Sequence, residues 1–198
     1  MNILKQFGIN SPKTYIDFSM NTSEQPELVP EKSCIFKSKI TCFIDGSCTN
    51  NGKLGAVAGY AAVFPDYPDY DISEPLTGKI QTNNRAEFTA FIRAAQQADV
   101  IDPSNNLVLD IYTDSELLVK SITKWLPGWK RSNFIKSDNK PVLNKDLLLT
   151  IDNIISKRKV KWNHVRAHTG KQDYASIYND KADRLAKEAT KYKNLLSL

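Results

Sequence analysis

Three β-type runs, over residues 40–45, 55–64 and 70–81, follow one another with only short turns between them, and from residue 84 onward helical and strand periods alternate. No other feature limits the fold so strongly. Strands joined by short turns pair as antiparallel neighbours, whereas strands separated by a helix can return parallel through a crossover. The order predicted is three strands, a helix over 84–98, a strand over 106–114 and a helix over 115–124. A break at Pro127 and Gly128 follows, then a helix over 144–157, a strand over 160–165 and a last helix over 179–192. Such an order predicts an α/β fold, a mixed sheet with helices on its faces.

The totals fit one principal domain. The chain has 198 residues, 41% of them hydrophobic and 25% charged, enough to bury one core. No apolar run approaches the roughly 20 residues that a bilayer span needs, and the N-terminus lacks the basic-then-apolar order of a secretory signal. Cys34, Cys42 and Cys48 are too few and too unpatterned for a disulfide framework or a zinc site. An intracellular, cytoplasmic setting is expected, and a nuclear location or a virus-infected cell is compatible with the same features. The formal net charge of +5 and a pI near 9.0 pull mildly toward polyanions, and the bases thicken between residues 120 and 161. Residues 1–38 mix Pro, Ser, Thr and acids without period and read as an N-terminal extension with no recognised domain, so the catalytic or binding domain is expected over 39–198.

Several acids stand at unusual places. Asp45 and Asp114 each end an apolar strand, and the carboxyl edge of parallel strands is where ligands bind in open α/β sheets. Glu87 shares a helical face with Ala90, Phe91, Ala94 and Ala98, a buried stripe on which an unpaired carboxylate is costly. Asp183 borders the apolar stripe of the last helix and, with a start at residue 179, falls in its first turn, where the helix dipole favours an ionised acid. No Arg or Lys recurs beside each of these acids. Gathered at one edge they would repel, and a divalent cation resolves the conflict; oxygen ligands with few nitrogens or sulfurs select Mg²⁺ or Mn²⁺. Taken singly, Asp45 and Asp114 each read equally well as a turn starter or helix cap.

The stretches "IDGSCTNNG", "QTNNRAEFTA", "IYTDSELLV", "VRAHTG" and "YNDKADRLAKEA" occur in the order and approximate spacing of the type 1 ribonuclease H family, and "ITKWLPGWKRSNF" with "KPVLNKDLL" resembles the basic protrusion and following helix of its bacterial and eukaryotic members. The likeness covers roughly residues 39–192. It implies a ribonuclease H-like fold, a five-stranded mixed sheet with three antiparallel strands and then parallel ones, flanked by helices. It also implies metal-dependent hydrolysis of the RNA strand of RNA/DNA hybrids, leaving 5'-phosphate and 3'-hydroxyl ends.

Carried over by position, the resemblance makes Asp45, Glu87, Asp114 and Asp183 the metal carboxylates and His168 a mobile catalytic histidine. Asp45 would bridge two Mg²⁺ ions, with Mn²⁺ a possible substitute; Glu87 and Asp114 would share the ion on the leaving-group side, and Asp183 would hold the ion that delivers water. Two-metal displacement at a phosphodiester requires such a clamp. His164, a rival to His168, shares strand parity with Val160 and Trp162 and reads as packed or half exposed. Cys48, Asn51, Asn83 and Asn84 match positions that touch sugars on the RNA strand, where the 2'-hydroxyl distinguishes RNA from DNA. Thr82 and Asn144 match a pocket for a DNA-strand phosphate. Trp129, Lys130, Arg131 and Lys136, with Trp125, match the protrusion along the DNA backbone, although Trp125 by itself reads as local core.

The chain departs from the family in three places. About five extra residues lie between His168 and Asp183, Glu116 stands where the bacterial form has glutamine, and the extension lacks likeness to the small hybrid-binding domain of many eukaryotic members. Two other classes stay open: a ribonuclease H-fold DNA nuclease, and a non-catalytic hybrid-binding module. The expected partner is the RNA/DNA hybrid, with no membrane, no obligate protein partner and a monomeric state.

Overall fold

The computed structural model describes residues 38–167, 170 and 172–192. His168 and the extension up to residue 37 lie outside the described residues. A single sheet organises the rest: β1 (Lys39–Thr49), β2 (Val57–Val63), β3 (Ile72–Pro75), β4 (Val108–Thr113) and β5 (Val160–His164), in the spatial order β3-β2-β1-β4-β5. β1 pairs antiparallel with β2, and β2 with β3; β1, β4 and β5 run parallel. The helices are α1 (Asn83–Ile101), α2 (Glu116–Lys120), α3 (Leu126–Arg131), α4 (Lys145–Lys157) and α5 (Tyr174–Tyr192). Among the described residues, no helix is long and apolar enough to cross a membrane.

Strand alternation divides the interior between the two faces. Ile40, Cys42 and Ile44 of β1 and Ala62 of β2 point into the larger core with Phe88, Phe91 and Ala94 of α1. Phe43 and Val63 point the other way and meet Ala182 of α5. Small residues let both helices come close. A Cβ on Gly46 would stand 2.4 Å from the Glu87 nitrogen, and one on Gly59 would stand 2.7 Å from the Ala189 Cβ. Such contacts are shorter than any side chain tolerates, so α1 rests on β1 and α5 on β2 only because glycine is there.

Several element boundaries differ from the sequence expectation. β1 runs through Asp45 to Thr49, so the aspartate lies within the strand; Gly46 serves the close approach of α1 and not a turn. The turn comes later, at Asn50, whose φ of 52° is left-handed. β3 has only four residues, because Pro75 cannot donate to a ladder. The chain after it is gathered by Gln81, which accepts from the Ala58 nitrogen at 2.9 Å and donates to the carbonyls of Leu76 and Gly78.

Pro127 and Gly128 do not break the chain either. α2 passes through a π-helical turn, Ser121–Trp125, directly into α3, and Pro127 sits in the first turn of α3, its fixed φ compatible with the helix. The wider turn leaves Trp125 39% exposed, so it is no core residue; its ring lies 5.6 Å from that of Trp129. Finally, α5 starts at Tyr174, with Asp173 accepting from the Ser176 nitrogen at 2.9 Å. Tyr174–Tyr178 therefore prolong the helix, and Asp183 lies well inside it, not in its first turn. The dipole argument for Asp183 fails on that account.

Candidate active site

Each acid reaches the site from a different element. Asp45 is mid-strand in β1, Glu87 follows the first turn of α1, Asp114 comes just after β4 and Asp183 projects from α5. Asp45 and Glu87 are 6% and 8% exposed. Burial, and then the negative charges of Asp114, Asp183 and Glu87, push the Asp45 carboxyl up to about 8. Burial, with Asp114 adding repulsion, raises Glu87 to about 7, although hydrogen bonds from Ser115 and Asn83 pull it back. Asp45 thus senses the other three predicted acids, and Glu87 senses Asp114.

A hydrogen-bonded chain positions Glu87. Asn51 Oδ1 accepts from the Asn83 nitrogen at 3.2 Å, and Asn83 Nδ2 donates to Glu87 Oε1 at 2.8 Å. The Ser115 hydroxyl donates to Glu87 Oε2 and also accepts from the Leu118 nitrogen at 3.2 Å, so one side chain caps α2 and anchors the acid. Asn179 Nδ2 donates to Asp114 Oδ2 at 3.2 Å. Lys187, one turn beyond Asp183, places its ammonium 2.7 Å from Asp183 Oδ2. Asp183 thus has a base of its own, whereas Glu87 and Asp114 are held by neutral partners. Ser115, Asn179 and Lys187 were all missed, though two signals were available: a Ser directly after the strand-ending acid reads as an N-cap, and residues four before and four after Asp183 share its helix face.

These partners have a consequence for cations. Among the described residues, no group of three or more His, Cys, Asp or Glu side chains stands ready to hold a metal ion. Glu87 is turned to Ser115 and Asn83, Asp114 to Asn179, and Asp183 to Lys187. The donor chemistry nonetheless fits a hard divalent cation. It offers carboxylate oxygens alone, and Asp45 sits among like charges with burial already opposing its ionisation. His164 is exposed, beyond the half exposure expected, and its Nε2 lies 3.2 Å from the Asp114 carbonyl oxygen.

The predicted nucleic-acid contacts fall into two groups. Cys48 donates to the Gln81 carbonyl at 3.6 Å, and this brings it to the segment that leads into Asn83. Thr82 caps α1, accepting from the Arg85 nitrogen at 3.3 Å. Arg85 in turn donates to Asn144 Oδ1 at 3.2 Å and forks onto Asp146 at 3.0 and 2.6 Å, which draws the starts of α1 and α4 together. Asn144 itself holds a left-handed φ of 58°. Asn84, Trp125, Trp129, Lys136 and Asn144 line one hollow of about 180 Å³, so the asparagine group and the protrusion share a surface. Arg131 is exposed on the protrusion, while Lys130 is drawn away onto Asp152 at 2.7 Å.

A mixed sheet in this order, with acids converging from β1, α1, the end of β4 and α5, defines the ribonuclease H-like fold class. The RNase H family model matches residues 37–191. The Ribonuclease H of Schizosaccharomyces pombe is 40% identical over 157 residues, covering 79% of this chain and 55% of its own length. Human Ribonuclease H1 is 35% identical over 153 residues, covering 77% of this chain and 50% of its own. The Ribonuclease H of Ehrlichia ruminantium is 34% identical and covers 76% of this chain and 93% of its own. The chain belongs to the RNase H family. It spans about half the length of the yeast and human relatives. Among solved structures, the PFV RNase H domain aligns with a TM-score of 0.62 at 24% identity over 78% of this chain and 96% of its own. LC11-RNase H1 in complex with RNA/DNA hybrid aligns with a TM-score of 0.56 at 23% identity over 78% of this chain and 99% of its own. Both agree with the fold.

Proposed function

We propose that this chain is an endoribonuclease that hydrolyses the RNA strand of RNA/DNA hybrids. The observation that carries the reading is the convergence of Asp45, Glu87, Asp114 and Asp183, with Asp45 pushed up to about 8 by burial and by the other acids. A fold does not retain such mutual repulsion for stability. The relatives named Ribonuclease H, from bacteria to human, support the activity.

Asp45, Glu87, Asp114 and Asp183 would together hold Mg²⁺, or Mn²⁺ in its place, through their carboxylate oxygens. When bound, the ions neutralise the acids, lower the pKa of the attacking water and stabilise the leaving 3'-oxygen, so the products carry 5'-phosphate and 3'-hydroxyl ends. The chain's own residues do the rest. Ser115 and Asn83 fix both oxygens of Glu87, and Asn179 fixes Asp114. Lys187 supplies Asp183 with a counter-charge before substrate arrives.

Asn51, with its Oδ1 engaged by the Asn83 nitrogen, keeps its Nδ2 as donor for a 2'-hydroxyl. Cys48, Asn83 and Asn84 border the same RNA-strand surface. Thr82 and Asn144, tied through Arg85, would receive a DNA-strand phosphate, and Trp129, Lys130, Arg131 and Lys136 would follow the DNA backbone. His168 keeps the role implied by position.

The test is a panel of end-labelled RNA/DNA hybrid, double-stranded RNA, single-stranded RNA and DNA duplex, with Mg²⁺ or EDTA, beside Asp45→Asn. Cleavage confined to the RNA strand of the hybrid, lost with EDTA and with Asp45→Asn, is expected. Binding without cleavage would make the chain a hybrid-binding module, and cutting of DNA duplex would make it a DNA nuclease.

A further inference from the structure

One buried polar atom beside the acids has no partner among the described residues. Asn179 is 2% exposed, and its Oδ1 is the buried side-chain oxygen left without a hydrogen bond among the described residues. Its other amide atom is committed, since Nδ2 donates to Asp114 Oδ2 at 3.2 Å. The carboxylate only accepts, so it decides which way the amide lies. Turned over, the amide would press oxygen against oxygen. Oδ1 therefore points away from Asp114 and stays buried there.

A buried carbonyl oxygen without a donor is unfavourable, and an apolar side chain of similar size would fill the same space without that cost. Packing alone gives no reason for asparagine at this position. The position does. Asn179 stands one turn before Asp183 on the buried face of α5, the face that also carries Ala182 and Ala186. Asn179 thus touches one acid of the site directly and shares a helix face with another.

We infer that Asn179 is a positioning residue of the hydrolytic site: its Nδ2 fixes the Asp114 carboxylate, and its Oδ1 takes a hydrogen bond from one water molecule held between Asp114 and Asp183. The inference rests on the hydrolytic reading given above. A water that donates to an amide oxygen on one side presents its lone pairs on the other. Oriented in this way, it can serve a cation or a phosphorus centre without first reorganising. The amide can play this part only in the orientation Asp114 imposes, so the two hydrogen bonds form one device.

Asn179→Leu and Asn179→Ala separate this role from a structural one. Leucine fills the volume and removes both polar atoms, whereas alanine leaves room for a substitute water. Thermal unfolding, kcat and KM on hybrid in Mg²⁺, and Mn²⁺ binding to the metal-depleted protein by calorimetry would be measured for all three proteins. The melting temperature should fall in the order Leu at or above Asn, then Ala. The kcat should instead fall in the order Asn, Ala, Leu, with the leucine variant at least tenfold down, KM within twofold and Mn²⁺ binding weakened at least fivefold. A kcat that follows the melting temperature, or a leucine variant within twofold of the parent in kcat and Mn²⁺ binding, overturns the inference. Should the leucine variant not fold, the alanine variant decides: unchanged kcat and Mn²⁺ binding would overturn the inference equally. Failure of the parent chain to cut hybrid would instead refute the hydrolytic reading, and the Mn²⁺ comparison would still judge Asn179.

Discussion

Burial and the charges of Asp114, Asp183 and Glu87 hold the Asp45 carboxyl up to about 8, and burial holds Glu87 up to about 7. In the unfolded chain such groups release their protons near pH 4. Folded pKa values above the unfolded ones mean that the folded state binds more protons between about pH 4 and 8. Their contribution to stability is therefore complete below pH 4 and is lost as pH rises toward 8. The metal-free protein is expected to lose on the order of 1 kcal/mol per pH unit across the upper part of that window. Asp45→Asn should flatten the curve and raise the melting temperature at pH 8, while hybrid cleavage falls by about a thousandfold or more. Urea titrations at pH 5 to 8 in EDTA would check the stability limb. The acids themselves were legible in the sequence, since each interrupts an apolar pattern. Their neighbours were not. Ser115, Asn179 and Lys187 are ordinary polar residues until the fold aims them.

β1 and α1 meet at Gly46, where an added Cβ would stand 2.4 Å from the Glu87 nitrogen and 2.7 Å from the Ala86 carbonyl carbon. Both are backbone atoms and cannot swing aside. Gly46→Ala must push α1 off β1, which costs about 1–3 kcal/mol as overpacking does and parts Glu87 from Asp45. Gly59→Ala meets a slightly less close obstacle in α5, 2.7 Å from the Ala189 Cβ and 2.8 Å from the Thr190 nitrogen, away from Glu87. Both variants should lose stability in urea, but at low temperature only Gly46→Ala should lose kcat out of proportion to its folded fraction. The order of elements was readable from period and turn residues. Several boundaries were not, because their causes are tertiary. Gly46 looks like a turn and is a contact, and Pro127 looks like a break and begins a helical segment. α5 starts earlier than the sequence reading because Asp173, one acid among several in that stretch, is the one whose side chain accepts from the Ser176 nitrogen.

The basic balance of the whole chain, +5 by formal charge, makes the expected grip on a nucleic acid sensitive to salt. Each phosphate contact removed should lower the log–log salt slope of hybrid binding by about 1. Lys136→Ala and Arg131→Ala are expected to show that change. Lys130→Ala should show less, since its ammonium is held 2.7 Å from Asp152. Fluorescence anisotropy with labelled hybrid in Ca²⁺ across a salt series would measure it. The sequence grouped these bases but did not reveal that one is already engaged. The continuity of α2, the π-helical turn and α3 from Glu116 to Arg131 reaches further. Ser115, at one end of this rod, holds Glu87, and Trp129, near the other, lines the hollow with Asn144. The rod works as a spacer: its backbone hydrogen bonds keep Trp129 at a set distance from Ser115, on the order of 20 Å by helical rise, so under the proposed reading a duplex that touches both ends is gauged by that spacing.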